Sequence, residues 1–193
     1  MRRDCNGCYD REAAVDYADE WSHDTNDDFY YYLRGDCANF VSQCLYAGGI
    51  EMNNEWYSHR SRKTIWQLMC DSVLLLILNN NRRYNWDVGQ PWRLANKQYH
   101  YFKNPENGYI NGDVIEISSS NDIAHVAENG GVQPGDLLYF SSDGKNAYHA
   151  TIITKVENGM IYYAGHSQSR YDQPLRDSMG SDSVFIIRIN DDA

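Results

Sequence analysis

Apolar positions along this chain follow two different rhythms. In the first half they recur every three or four residues. Ala13, Ala14, Tyr17, Ala18 and Trp21 form such a stripe and predict a helix over residues 10–23, which Asp10 can cap. Residues 24–28 are a polar break, and the aromatic run that follows at residues 29–33 ends at Arg34-Gly35. A second helix is predicted after Asp36, with Phe40, Val41, Cys44 and Leu45 on its apolar face and Gly48-Gly49 as its stop. Residues 52–62 read as a loop, residues 64–78 as a buried helix, and residues 91–102 as a further helix with Pro91 in its first turn.

In the second half the apolar residues alternate or run together over short stretches. Residues 113–117 read as a strand or turn, and residues 135–140, 149–156, 160–164 and 184–189 as strands. Asn158-Gly159, between two of them, favours a tight hairpin turn. Helices first and antiparallel strands later give the α+β class, with the N-terminal helices packed on one face of a small antiparallel sheet. The 193 residues suit a single domain, 1–193.

Composition narrows the function. With 17 basic and 27 acidic residues the formal charge is −10, whereas a nucleic-acid binder needs a basic stripe. The short basic clusters, Arg60-Ser61-Arg62-Lys63 and Arg82-Arg83, read as solvated faces. No nucleic-acid partner is expected. The apolar run at residues 73–78 falls far short of the ~20 residues of a membrane span. Residues 1–5 lack the apolar segment of a signal peptide, so the expected location is intracellular unless a leader has been removed. Sixteen tyrosines suit the half-wet positions of a groove.

Five cysteines are an odd number, so at least one is unpaired. Cys5 and Cys8 form a lone CxxC pair without the second pair of a zinc site. Cys44 and Cys70 read as core. Cys37 differs, because it stands in the first turn of an amphipathic helix. There, unpaired N–H groups and the positive end of the dipole favour a thiolate, and the same N–H groups can hold an oxyanion. Position alone fits two readings, a nucleophile or a structural cysteine that begins a helix.

A thiol nucleophile needs a base and a group to orient that base. His23 and His59 lie in polar surroundings, His100 reads as packing, and His125 as a core histidine. His149 opens a strand of small and β-branched residues, where a base could face the start of the nucleophile helix. If Asn158 and Gly159 are the turn residues, Glu157 pairs with Met160 and His149 lies opposite Gln168. His166 is then its diagonal neighbour on the same face. A one-residue slip would change these partners.

The segment Asp36-Cys37-Ala38-Asn39-Phe40-Val41-Ser42-Gln43 resembles the putative amidase domain family of bacteria, a relative of the NlpC-type and CHAP cell-wall hydrolases with a papain-like fold. Tyr9-Asp10-Arg11-Glu12-Ala13-Ala14-Val15 resembles its opening helix, and Cys44-Leu45-x-Ala47-Gly48-Gly49 with Met52 continues the nucleophile motif. Gly135-Asp136-Leu137-Leu138-Tyr139-Phe140 and His149-Ala150-Thr151-Ile152-Ile153-Thr154 resemble its second half. His166-Ser167, Arg170 and Pro174-Leu175 resemble its closing histidine motif. Ala38 stands where Thr or Ser is usual, and residues 53–85 look divergent or inserted.

The resemblance implies a cysteine amidase or peptidase with Cys37 as nucleophile, His149 as general base and His166 as the residue orienting it. Gln168 is the fallback for that third role, and Asp36 a supporting residue beside the oxyanion site. It implies a peptide or peptidoglycan substrate, a thioester intermediate, and neither metal nor cofactor. The rival expectations are an acyltransferase or crosslinking enzyme with the same site, an effector amidase, and a binding module without catalysis. Such domains occur as secreted wall enzymes, phage lysins and effectors. A separate targeting partner suits so acidic a chain.

Overall fold

In the computed structural model, residues 8–33, 35–63, 84–166 and 170–193 are described. The predicted helix over residues 64–78, Arg82-Arg83, Cys5, Cys70 and Gln168 lie outside them.

Helix α1 spans Arg11–Trp21, with Asp10 capping it through the Ala13 N–H at 3.0 Å. Helix α2, Cys37–Ala47, ends at Gly48. A side chain at Gly48 would strike the ring of Tyr9 at 2.5 Å, which is why the chain stops there on a glycine. A small hairpin follows, β1 (Ser58–Arg62) with β2 (Tyr84–Val88), joined in the register Ser58↔Val88. Sequence placed residues 58–62 in a loop. Four of the five β1 residues are exposed, so burial imposes no period-two signature on them.

The helix predicted over residues 91–102 is two, α3 (Gln90–Arg93) and α4 (Ala95–Phe102), separated by an extended Leu94. The break frees the Trp92 carbonyl from helical pairing, and Ser42 Oγ donates to it at 2.9 Å. Next come β3 (Ile115–Ile117), α5 (Ile123–Asn129), β4 (Leu137–Ser141), β5 (His149–Glu157), β6 (Met160–Gly165), β7 (Arg170–Pro174), α6 (Leu175–Met179) and β8 (Ser183–Ile187). The sheet runs β3-β8-β4-β5-β6-β7 and is antiparallel throughout.

Mixed α/β architecture with antiparallel sheets agrees with the expected class, but helices cover both faces of the larger sheet. On one face Leu137, Tyr139, Ala150, Ile152, Ala164, Phe185 and Ile187 pack with α1, α2 and α4. On the other, Leu138, Phe140, Ile153, Ile161, Tyr163, Val184 and Ile186 pack with residues of α5 and α6. This two-sided burial explains the unbroken run Leu137-Leu138-Tyr139-Phe140.

Asn158 and Gly159 make the hairpin turn with φ of 51° and 68°, and Glu157 pairs with Met160 as the sequence indicated. Four residues before the turn's start the register slips. Thr154 is an extra residue on β5, so Ile153 pairs with Tyr163 and Ile152 with Ala164. Its hydroxyl donates to Asp172 Oδ1 at 2.6 Å, which fixes the bulge to β7.

The chain's beginning is clamped to the sheet. Arg11 Nη1 and Asp136 Oδ1 are 2.7 Å apart, with Asp136 fully buried. Asp136 also accepts the Gln133 and Ile189 N–H groups, Arg11 reaches Asp191, and the Tyr9 N–H donates to the Asp191 carbonyl. Tyr9 Oη donates to the Gly135 carbonyl at 2.8 Å.

Candidate active site

The polar residues at the start of α2 each have a buried partner. Asp36 Oδ1 accepts the Tyr32 N–H and the Asn39 amide, both at 2.9 Å. Asn39 also donates to the Tyr30 carbonyl and accepts from Trp92 Nε1 at 2.8 Å. Ser42 Oγ accepts from Trp56 Nε1 at 2.9 Å and Gln98 Nε2 at 2.7 Å, and Gln43 Oε1 accepts from Tyr17 Oη. Unpaired, each of these groups would carry a desolvation penalty of ~1–3 kcal/mol. Paired, they hold α2 rigidly against α3, α4 and the loop before it. The motif's polar letters therefore build a frame around Cys37.

Cys37 is buried, 6% exposed. Burial pushes its thiol pKa up, opposed by the backbone N–H groups of Ala150, Ala38 and Cys37 itself, which point at the sulfur. The expected depression by a helix start is thus present in direction but outweighed. The Ala150 N–H belongs to the residue after His149, so the sulfur sits at the head of β5. His149 is half-buried there, with its ring 5.7 Å from that of Phe140. Burial, together with the positive charge of Arg170, pushes its pKa down to about 4.

Cys37 and His149 line one cavity of about 520 Å³, together with Gly35, Phe140, Tyr148, Tyr163, Arg170, Asp177 and Ser178. Both shifts favour uncharged forms near neutrality, a thiol and a neutral imidazole in one cavity.

His166 does not join this pair. The bulge at Thr154 turns the expected register by one residue. Carried on from Ile152↔Ala164, the pairing sets Ala150 across from His166. Ala150 and Ile152 face α2, whereas His149 shares the opposite face with Phe140 and Ile153. His166 accordingly stacks on Phe40 with ring centroids 4.2 Å apart. Its Nδ1 lies 2.6 Å from Asp36 Oδ2 and its Nε2 2.8 Å from the Trp21 carbonyl. Both of its ring nitrogens thus engage groups other than His149. Asp36 points at His166 and the preceding loop rather than toward the sulfur.

Of the other histidines, His23, His59 and His100 are exposed, and so is His125, which sequence assigned to the core. His125 sits on the outer side of α5, between the buried Ile123 and Val126. Cys44 is buried in α2, its thiol pKa raised by desolvation. Among the described residues, no group of three His, Cys, Asp or Glu side chains is placed to hold a metal ion. Nor is any described helix long and apolar enough to cross a membrane. Sequence reasoning missed Tyr148, Tyr163 and Ser178 as wall residues.

A family model described as a putative amidase domain matches residues 8–188. The chain belongs to the putative amidase domain family. The match includes α1, α2 and every strand described above. The chain is 25% identical over 169 residues to the uncharacterized protein YhbB of Bacillus subtilis (strain 168), covering 87% of this chain and 43% of that one. It is 42% identical over 48 residues to the uncharacterized protein YjcM of the same organism, covering 25% of this chain and 12% of that one. The chain thus spans less than half the length of these curated relatives. No solved structure matches it.

Proposed function

We propose that this member of the amidase family is a cysteine-dependent amide hydrolase, with a papain-like core related to the NlpC and CHAP enzymes and acting on amide bonds of peptidoglycan. The observation that carries the reading is the meeting of Cys37 and His149 in one cavity, the thiol at a helix start and the imidazole at a strand start.

In this reading the resting pair is neutral. His149 takes the thiol proton as the sulfur attacks the carbonyl carbon, and the Ala150 and Ala38 N–H groups support the thiolate as it forms. The first-turn N–H of Cys37, which has no partner within the helix, helps hold the oxyanion. The imidazolium then protonates the leaving amine, giving a thioester, and water deprotonated by His149 releases the acid.

The test is incubation of the protein with purified peptidoglycan. New amino termini without new reducing sugar ends are expected, and their loss in Cys37→Ala. Release of reducing ends alone, or undiminished hydrolysis by Cys37→Ala, would overturn the proposal. Adding an amine during turnover separates hydrolysis from acyl transfer by the mass of the product.

A further inference from the structure

The cavity that holds the candidate pair also holds a cation. Arg170 is the first residue of β7, paired across to Gly165 on β6. Its Nη1 donates to Tyr163 Oη at 3.1 Å and to Ser178 Oγ at 2.9 Å. These bonds, from neighbouring strand and from α6, hold the guanidinium in one plane and one place. All three residues line the same cavity as Cys37 and His149. A half-buried arginine placed at a reacting centre, in a protein of net charge −10, selects for something.

We infer that Arg170 is a specificity residue that binds a carboxylate on the substrate, next to the amide being cleaved. A guanidinium braced from two sides loses little side-chain entropy when it meets a planar carboxylate, and its geometry suits that group better than an ammonium would. Arg170 shares this cavity with Asp177, and its positive charge adds to the effect of burial in lowering the His149 pKa. The substrate class is an amide whose neighbouring residue carries a free carboxyl group. Neutral amides lacking it would bind less well.

This inference rests on Cys37 being the nucleophile, and the experiment separates the two. Iodoacetate and iodoacetamide both alkylate a thiolate with loss of iodide, but only the first carries a carboxylate. The ratio of their rates at Cys37 is the readout, taken for the native protein, Arg170→Gln and Arg170→Lys. The ratio is expected to fall about fivefold in Arg170→Gln, the factor equivalent to about 1 kcal/mol of charge interaction. Arg170→Lys should retain most of it. If Arg170 merely tunes His149, both reagents change together and the ratio stays fixed, which overturns the inference. Should Arg170→Gln not fold, the native ratio must still fall with added salt, and a salt-independent ratio overturns it equally. If Cys37 reacts with neither reagent, the nucleophile reading fails by itself. Acetate titration followed by NMR then decides for Arg170. Saturable shifts of its Nε–H support the carboxylate site, and unmoved signals refute it.

Discussion

His166 Nδ1 and Asp36 Oδ2 lie 2.6 Å apart in a site from which water is almost excluded. The other ring nitrogen of His166 faces the Trp21 carbonyl. Both ring nitrogens of His166 are therefore engaged, one by the Asp36 carboxyl group and one by the Trp21 carbonyl. This pair joins the end of α1, the start of α2 and the end of β6. It fixes the turn that presents Cys37 without touching the sulfur's cavity.

Replacing His166 with Ala should therefore cost stability first. Leaving the buried Asp36 carboxyl group without its His166 partner should cost about 1–3 kcal/mol, which urea denaturation would register. Unchanged stability together with lost hydrolysis would return His166 to a direct catalytic part.

The depressed His149 pKa sets a pH dependence. Between about 4 and 6.5 the unfolded chain binds a proton at this site that the folded chain does not. Stability should therefore fall as pH drops through that window and be unaffected by His149 above it. His149→Gln should flatten the slope in denaturant titrations at several pH values. Because the imidazole remains a base throughout, the acid limb of the kcat/KM profile should lie near 4 and not near 6.5.

Arg11 and Asp136 make a second site where one partner cannot be spared. Asp136 is fully buried, and burial already pushes its carboxyl pKa up against the pull of Arg11. Arg11→Met should lower stability by about 3–5 kcal/mol, with partial rescue by Asp136→Asn in the double variant. Thermal unfolding of the four proteins completes that cycle, and additive losses would deny the coupling.

The net charge of −10 bears on wall binding. Anionic wall polymers repel such a surface, so the isolated protein should sediment poorly with purified walls at low salt. Binding should improve as salt screens the repulsion. Strong, salt-insensitive cosedimentation would contradict this expectation.

Much of this was legible in the residues. The stripes of α1 and α2 were read directly, because one-sided burial writes a helical period into sequence. Asn158-Gly159 announced its turn, because few other pairs accept positive φ at both positions. Cys37 and His149 stand at the start of a helix and of a strand, as their sequence surroundings indicated. The position of His166 was misread for one reason, the extra residue Thr154 on β5, whose slip has no local signature. The helices α5 and α6 were missed because each is too short for a period to show. The exposed hairpin of β1 and β2 lacked an apolar face to betray it.

The clamp around Arg11 has an architectural consequence. It brings the strand-end residues Ile189 and Asp191 against the residues that open α1. The first and last described segments thus lie against each other. A unit whose first and last described segments meet can be spliced into a loop of an unrelated host with little rearrangement of its interior.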